Sequence, residues 1–562
     1  MQNRLPAVLR LAALAALVTA TTTLGSTPAR GASLSDLLTL GLAGTLAHAL
    51  LMSPCLAVRD AQSAARTVTA PALLLIAVPL LRSGTLVNER AATLGLLVVA
   101  ALLAALLAPW VARIPTAAIA TLAALICSST IARHVAPTTH AASPATGPDV
   151  FLVTIDTLRA DHVGAYGAPL GRTRTLDALA DDGARFAKAF ATAPLTGPSH
   201  TALLTGRWPL ATGVVANGTP IADHPETLAR VFAGAGYTTG AFVGAFPVSA
   251  RFGFGQGFDV FDDDFGAVPG VHELAAVQLF DLLRPANMPR ERRADRVLDA
   301  TLAFIDTTPG PLFTWVHLFD PHAPYDAPGT TPPPYEGDWR AAAADHPATY
   351  RAAYVAEVTY VDHELVRLVH AIEQRGRPAY LVVLSDHGES LGEHGVFFDH
   401  GDDLFDPSLQ VPWIVRGPGI APGTVVRAQV STVDLAPTVL ALAGVADPFE
   451  RDGRSRAPEL LGATGEDGDV LATTLGGRHR DPPLDHALRR TEAKCYLRHG
   501  AAPVLYDLVA DPTESTDATG TRPDLARTVC GALASAARGA AGLPAASDAD
   551  VDQALRALGY LQ

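Results

Sequence analysis

The feature that most limits how this chain can fold is an alternation of apolar runs with amphipathic segments, which begins near residue 150. Four short runs predict buried strands, at residues 150–155, 238–243, 312–318 and 379–384. Helical periodicity lies between them, at residues 226–235, 294–306 and 350–374. The pattern predicts an α/β fold with a mostly parallel central sheet flanked by helices. In such sheets, ligands bind beyond the carboxyl ends of the strands.

The N-terminal region contains most of the chain's apolar excess. Mean hydropathy is +0.22 over the whole chain, and five apolar segments lie at residues 5–25, 37–58, 67–81, 91–111 and 114–132. Several of these segments approach the roughly 20 residues that span a bilayer. We therefore predict a transmembrane region at residues 1–135 with four or five helical spans, the first of which also fits a cleaved signal peptide.

The number of spans predicts on which side of the membrane the rest of the chain lies. Five spans from a cytoplasmic N-terminus, or four after cleavage of the first, both place the remainder on the exterior or periplasmic side. Residues 136–148, rich in Pro, Thr, Ala and Ser, predict a linker. A catalytic core is predicted at residues 149–422 and a small C-terminal subdomain at residues 423–562.

Charge and cysteine content restrict the partners and the compartment. The chain has 42 basic and 56 acidic residues and a net charge of -14, which argues against nucleic acid as a partner. An anionic substrate would therefore need a locally positive site. The four cysteines lack metal-type spacing. Cys495 and Cys530 either pair as a disulfide in an oxidising compartment or remain two buried thiols.

Charged side chains follow two of the predicted strands. Asp156 comes directly after the first strand, and Asp386 and His387 come directly after the last. For either aspartate taken singly, capping of the following turn is the simpler interpretation. Two acidic strand ends with an adjacent histidine instead predict a metal site.

A fourth ligand comes from the stretch TGPSHTALLTG at residues 196–206. Thr196 stands at the mouth of a short apolar helix in which Pro198 suits the first position, so the first-turn N–H groups are expected to face an anion. The alternative is an ordinary capped helix. With Asp156, Asp386 and His387, the Thr196 hydroxyl completes a set of three oxygens and one nitrogen. This set favours zinc or manganese over calcium, and a bound ion would lower the pKa of the Thr196 hydroxyl.

These stretches resemble the sulfatase family of the alkaline phosphatase superfamily from about residue 150 to the end of the chain. The marks are IDTLRADH at 155–162, TGPSHTALLTG at 196–206, DPHAPY at 320–325 and SDHGESLGEHG at 385–395. The resemblance implies an alkaline phosphatase-like core and an enzyme that cleaves or transfers sulfate or phosphate esters.

Two positions depart from sulfatases that mature a Cys or Ser to formylglycine. Thr196 stands at that position, where oxidation would give a ketone, and His200 replaces the Arg of the maturation motif. No formylglycine is therefore expected. The pairs Asp156-Thr157 and Asp386-His387 resemble the threonine branch, which includes membrane-anchored phosphoethanolamine transferases, lipoteichoic acid synthases and nucleotide pyrophosphatase/phosphodiesterases. The resemblance implies that Thr196 attacks phosphorus and forms a phosphothreonine.

The resemblance also suggests residues that contact the substrate. Asn217 resembles a hydrogen-bond donor to a phosphoryl oxygen, although a turn before Gly218 or a glycosylation acceptor also fits. His322 and His400 resemble two histidines that meet the substrate phosphate and could protonate a leaving alkoxide. With Asp320 they could instead hold a second metal. Arg159 either pairs with substrate charge or forms a structural salt bridge.

The expected protein is thus a membrane-anchored, metal-dependent hydrolase or transferase that acts on an anionic ester, with lipid- and glycan-linked esters as candidates. Two alternatives stay open. One is a conventional sulfatase that uses Thr196 directly, and the other is a pseudoenzyme that keeps the fold as a binding module.

Overall fold

A computed structural model of the chain describes residues 147–538, apart from 170–171, 223, 225, 266–290, 336–338 and 476–483. The predicted transmembrane region at residues 1–135, most of the predicted linker and residues 539–562 lie outside the described residues. Within the described ranges, no helix has both the length and the apolar character that crossing a bilayer requires.

Fifteen strands lie in the described part of the chain. They are β1 Asp149–Ile155, β2 Ala184–Phe190, β3 Thr238–Val243, β4 Val260–Asp262, β5 Leu312–Leu318, β6 Ala379–Ser385, β7 Ser390–Leu391, β8 Phe397–Asp399, β9 Gln410–Val411, β10 Trp413–Arg416, β11 Thr424–Ser431, β12 Val470–Leu475, β13 Leu484–Arg489, β14 Ala493–Leu497 and β15 Val504–Asp507.

The helices that the structure describes connect and cover these strands. They are α1 Arg174–Asp181, α2 Thr196–Thr205, α3 Pro209–Thr212, α4 Leu228–Gly234, α5 Ala294–Thr307, α6 Trp339–Asp345, α7 Pro347–Gln374, α8 Asp406–Leu409, α9 Leu435–Ala443, α10 Ala457–Leu460 and α11 Pro523–Arg538. Short 3-10 helices lie at Ala160–His162, Gly164–Tyr166, Phe246–Val248, Ala250–Phe252, Glu393–Gly395 and Thr432–Asp434.

Nine strands form the central sheet, in the order β11-β2-β10-β6-β1-β5-β3-β4, with β9 paired to β2. The α/β fold is as predicted, but the sheet is mixed. Strand β10 runs antiparallel to both β6 and β2, and β9 runs antiparallel to β2. An antiparallel neighbour needs no crossover helix, so β10 can pair with β6 without one.

Strand β1 shows why the predicted runs are mostly apolar. Val150 and Leu152 face the hydrophobic cluster on one side of the sheet, whereas Phe151, Val153 and Ile155 face the cluster on the other side. Successive side chains of a strand alternate in direction, so a strand covered on both faces is apolar at consecutive positions rather than at every second one. Strand β2 has the sequence ARFAKAF, which lacks such a run and was not predicted.

A four-stranded antiparallel sheet, β12-β13-β14-β15, follows the central sheet in the chain. Helix α11 packs against it, and a disulfide joins Cys495 to Cys530. Strand β11, at the start of the predicted C-terminal subdomain, pairs in parallel with β2 and belongs to the central sheet. The separate sheet therefore begins at Val470 and is joined to the core by ion pairs from Lys494 and Arg489 to Asp406.

Candidate active site

Three side chains converge at the carboxyl ends of two adjacent strands. Strands β1 and β6 pair in parallel with Ile155 opposite Ser385, so the residues that follow them reach the same edge of the sheet. The Nε2 atom of His387 lies 3.6 Å from Asp156 Oδ1 and 3.5 Å from Asp386 Oδ2. All three side chains are fully buried, so the sheet register assembles the predicted cluster.

Thr196 is the first residue of α2 and faces this cluster. Its Oγ1 atom lies 3.5 Å from His387 Nε2, and the residue is fully buried. The start of the helix is tied to the strand end, because Ser199 Oγ donates a hydrogen bond of 2.7 Å to the carbonyl oxygen of Asp386. The structure thus brings together the four residues that the sequence predicts as metal ligands.

Three positions in the first turn of α2 have no amide available for an anion. Gly197 N–H donates to Asn217 Oδ1 over 2.7 Å, Ser199 N–H donates to the carbonyl of Leu195, and Pro198 has no N–H. A Cβ atom on Gly197 would lie 3.0 Å from Asn217 Oδ1, so this close approach favours glycine. The prediction that first-turn amides face an anion therefore does not hold at these three positions.

The chemistry of the cluster fits a divalent cation. Both oxygens of Asp156 and Oδ2 of Asp386 have no hydrogen-bond partner among the described residues. His387 Nδ1–H donates to the carbonyl of Gly388 over 2.9 Å, which leaves the Nε2 lone pair facing the carboxylates. Separations of 3.5–3.6 Å are long for hydrogen bonds. They are close to the roughly 3.4 Å between two ligands of a tetrahedral ion with bonds of about 2.1 Å.

The electrostatics of the cluster favour a bound cation. Burial, and then the charge of Asp386, raise the pKa of Asp156 well above its ordinary range. Burial lowers the pKa of His387 to about 4, which keeps the imidazole neutral. Asp386 Oδ1 accepts the N–H of His387 over 2.9 Å, but the other three carboxylate oxygens have no hydrogen-bond partner among the described residues. Two buried carboxylates in this state are unfavourable, and a cation between them would reduce that penalty.

His322 and His400 lie beside the cluster, as predicted for residues that meet the substrate. The ring centroid of His400 is 4.6 Å from that of His387 and 4.9 Å from that of His322. Burial alone would lower the pKa of His400, but the Glu389 carboxylate, 3.3 Å from Nδ1, outweighs it and the pKa is raised. Burial and the neighbouring His400 hold the pKa of His322 well below its ordinary value.

Helix α2 orients Asn217. It is only 1% exposed, and its Oδ1 accepts from Gly197 N–H. Its Nδ2 has no hydrogen-bond partner among the described residues. Because the side chain is buried, the glycosylation interpretation does not fit the folded chain, and the amide retains a donor for a ligand.

Arg159 and Asp320 both have partners within the protein. Arg159 pairs with Asp161 at 2.7 Å and with Glu393 at 3.0 Å, so its geometry supports the structural salt bridge rather than a substrate contact. Asp320 Oδ2 accepts the Ala294 N–H at the start of α5 over 2.8 Å. Among the described residues, the metal-type group is Asp156, Asp386 and His387, and it does not include Asp320.

Sequence reasoning missed His317, near the end of β5. It pairs in register with Thr154 of β1, is fully buried, and has its Nε2 atom 3.6 Å from Asp156 Oδ2. Its signal was a single histidine inside an otherwise apolar strand. Another buried contact is that of His200, which links the carbonyl of Thr196 to the hydroxyl of Thr154.

Known proteins are similar to this chain in sequence and in fold. The Sulfatase family model matches residues 148–445. An ulvan-active sulfatase of Formosa agariphila is 26% identical over 420 residues, which are 67% of this chain and 78% of the relative. A choline-sulfatase of Rhizobium meliloti is 26% identical over 436 residues, covering 66% of this chain and 82% of the relative.

Solved structures show the same fold. A phosphonate monoester hydrolase of Agrobacterium radiobacter superposes with a TM-score of 0.56 at 20% identity, over 70% of this chain and 96% of the other. A 2-O GAG sulfatase superposes with a TM-score of 0.57 at 22% identity, over 72% and 96%. With the family model spanning more than half of the sequence, the chain belongs to the sulfatase family and is an ester hydrolase of the alkaline phosphatase superfamily.

Proposed function

We propose that this chain cleaves or transfers phosphate esters through covalent attack by Thr196, in a domain anchored to a membrane. The proposal rests on one observation. The Thr196 hydroxyl is buried and lies 3.5 Å from His387 Nε2, at the edge of the sheet that also carries Asp156 and Asp386. A hydroxyl held beside a cation site is an activated nucleophile that needs no separate base.

The four ligands would hold one divalent ion, zinc or manganese in preference to calcium, because His387 supplies nitrogen. When bound, such an ion lowers the pKa of a coordinated hydroxyl and offsets negative charge that develops at phosphorus. In the protein itself, Ser199 anchors the helix start to the strand end, so the Thr196 oxygen and the carboxylates keep a fixed spacing. This preorganisation favours in-line attack.

In the first half of the reaction, Thr196, His400 and Asn217 each have a separate role. The Thr196 proton leaves to solvent, the Thr196 oxygen bonds to phosphorus, and the bond from phosphorus to the ester oxygen breaks. His400, whose pKa is raised beside Glu389, gives its proton to the leaving oxygen. Asn217 Nδ2 donates to a phosphoryl oxygen on which charge develops.

In the second half, the oxygen of water or of an acceptor hydroxyl bonds to phosphorus, and the bond from phosphorus to the Thr196 oxygen breaks. The proton released by the attacking hydroxyl and the proton earlier lost to solvent then restore Thr196 and His400. His322 Nδ1–H donates to the Ala323 carbonyl over 2.6 Å, so any base chemistry belongs to its Nε2 atom. A histidine with a depressed pKa is neutral and can take the proton of the attacking hydroxyl. His322 and His400 therefore have complementary functions in this scheme.

Phosphorus is favoured over sulfur because Thr196 cannot yield the formylglycine aldehyde, and because His200 replaces the maturation Arg. A sulfated threonine would have to be released by hydrolysis, with no aldehyde hydrate to eliminate sulfate. The competing function is a conventional sulfatase that uses Thr196 directly, which the names of the sulfatase relatives support.

The location proposed for the catalytic domain is the exterior or periplasmic side of the membrane. The apolar segments before residue 135 support an anchor. The Cys495–Cys530 disulfide supports an oxidising compartment. An anchored enzyme outside the cell meets lipid- and glycan-linked anionic esters, which we propose as the substrate class.

The test is to incubate the detergent-solubilised full chain with matched aryl phosphodiesters and aryl sulfates, and with phospholipids, and to analyse the peptide containing Thr196 by mass spectrometry. We expect a phosphoryl adduct on Thr196 and faster turnover of the phosphodiester. Faster turnover of the sulfate would support the conventional sulfatase instead. Activity that survives Thr196→Ala on every substrate, or a protein that neither binds metal nor turns over any ester, would contradict both.

A further inference from the structure

We propose that His317 Nε2 is a metal-ligating atom that, together with Asp156 Oδ2, marks a second cation position beside the one at His387. Asp156 would then bridge two cations. This inference rests on the proposed function, because it shares Asp156 with the first metal position.

The first observation is a symmetry around the Asp156 carboxylate. His387 Nε2 lies 3.6 Å from Oδ1, and His317 Nε2 lies 3.6 Å from Oδ2. Neither Asp156 oxygen, nor His317 Nε2, has a hydrogen-bond partner among the described residues, although both side chains are fully buried. Two imidazoles thus approach the two oxygens of one carboxylate at the same ligand-to-ligand distance.

The second observation is a chain of hydrogen bonds that starts at His200, passes through Thr154 and fixes the tautomer of His317. His200 Nδ1 lies 2.8 Å from the Thr196 carbonyl oxygen, which can only accept, so Nδ1 bears the proton. In the neutral ring, His200 Nε2 must then accept the Thr154 hydroxyl proton across 2.9 Å. Full burial of His200 favours that neutral ring.

Thr154 passes this constraint on to His317. The Thr154 hydroxyl has one proton, already given to His200, so it can only accept from its other neighbours. It accepts from Trp315 Nε1–H at 3.0 Å and from His317 Nδ1–H at 3.3 Å. In a neutral His317, Nε2 therefore carries a lone pair that is directed at Asp156 Oδ2.

A lone pair and a carboxylate oxygen that face each other repel unless a proton or a cation lies between them, and the separation of 3.6 Å is too long for a shared proton. The same arrangement, with Nδ1–H held by an oxygen acceptor and Nε2 facing a carboxylate, is found at His387. Holding Nδ1–H in this way is how proteins orient metal-ligating histidines. The group of ligand atoms within 4.8 Å of one another contains Asp156, Asp386 and His387, so His317 defines a position of its own on the other Asp156 oxygen.

The test measures Mn(II) binding by the solubilised full chain after chelator dialysis, with no substrate present. Bound metal is counted by mass spectrometry, and the electron paramagnetic resonance spectrum reports whether two Mn(II) ions are coupled through a shared carboxylate. We expect two equivalents and a coupled signal in the wild type. His317→Gln should bind one equivalent, without the coupled signal. Thr154→Val, which removes no ligand, should weaken the second site by about 10- to 100-fold.

A matched control is His486→Gln, because His486 is a largely buried histidine whose Nδ1 lies 3.2 Å from the hydroxyl of Thr473, in the small sheet. It should leave both equivalents in place. A wild type that binds a single equivalent, or a folded His317→Gln protein that keeps two, would overturn the proposal. A wild type that binds no Mn(II), or an Asp386→Asn protein that binds as much Mn(II) as the wild type, would instead contradict the proposed function. Failure of the second site and failure of the proposed function therefore give different results.

Discussion

The Thr196 hydroxyl lies 3.5 Å from Nε2 of His387, although 191 residues separate the two in the chain. If this contact positions the nucleophile, Thr196→Ala should lower the phosphodiesterase kcat by roughly 1,000-fold or more, while Thr196→Ser retains measurable turnover. Thr205→Ala is a suitable control, because Thr205 lies in the same helix and its hydroxyl bonds only within that helix and its end. Comparable losses in the two alanine variants would indicate a folding defect instead.

Asp386→Asn should separate metal binding from stability. Asp386 raises the pKa of Asp156 by charge repulsion, so removing one charge should raise the Tm of the chelator-treated protein. The same change should abolish the Tm increase that zinc gives the wild type. Scanning calorimetry with and without zinc measures both effects. Asp362 is a suitable control, because it is a buried aspartate that binds the amides of Thr175 and Leu176 at the start of α1. In Asp362→Asn, the Tm should fall while the increase in Tm on adding zinc stays.

His400→Gln should show whether this residue protonates the leaving oxygen. A good leaving group needs little protonation, so hydrolysis of a nitrophenyl ester should fall only a few-fold. An alkyl ester of the same phosphate should lose about 100- to 10,000-fold in rate. The slope of rate against leaving-group pKa, measured over a series of esters, checks this. An equal loss for all esters would assign His400 to substrate binding.

Asn217→Ala should lower kcat about 100- to 1,000-fold with little change in KM. Its Nδ2 donor has no partner among the described residues and is expected to act on charge that develops during attack. Asn217→Ser tests the other end of the side chain, since the hydroxyl can replace part of its contact with Gly197 N–H. Steady-state kinetics on the preferred ester measure both. A change confined to KM would contradict a contact specific to the transition state.

Glu357 predicts how stability depends on pH. Burial, and then Asp320, raise the pKa of its carboxyl to about 8, compared with about 4.3 in an unfolded chain. The folded state therefore keeps a proton that the unfolded state releases, so stability falls as pH rises from about 4.5 to 8, by at most about 1.4 kcal/mol per pH unit for this group. Glu357→Gln should flatten that decline in urea titrations. Parallel pH profiles for the two proteins would argue against the protonated carboxyl.

The sequence was sufficient wherever a local pattern had one physical solution. Strands β1, β3, β5 and β6 are buried on both faces, so each appears as a mostly apolar run with few charged residues, and their bounds were predicted to within a residue. Parallel strands share an edge, so Asp156 and Asp386 could be placed together before any coordinates. Strands β2 and β10 lack that signal, and the mixed sheet could not be anticipated.

The tertiary structure decided which polar side chains face the ligand and which serve the fold. Arg159 and Asp320 lie in motifs as prominent as that of His387, but both already have partners in the protein. Arg159 forms an ion pair, and Asp320 accepts a hydrogen bond from a helix N-terminus. His317 is inconspicuous in the sequence, and only the pairing of β5 with β1 brings it to Asp156. Residue type sets what a side chain can bind, whereas the partners that remain for it depend on strand register and helix placement, which a linear sequence does not contain.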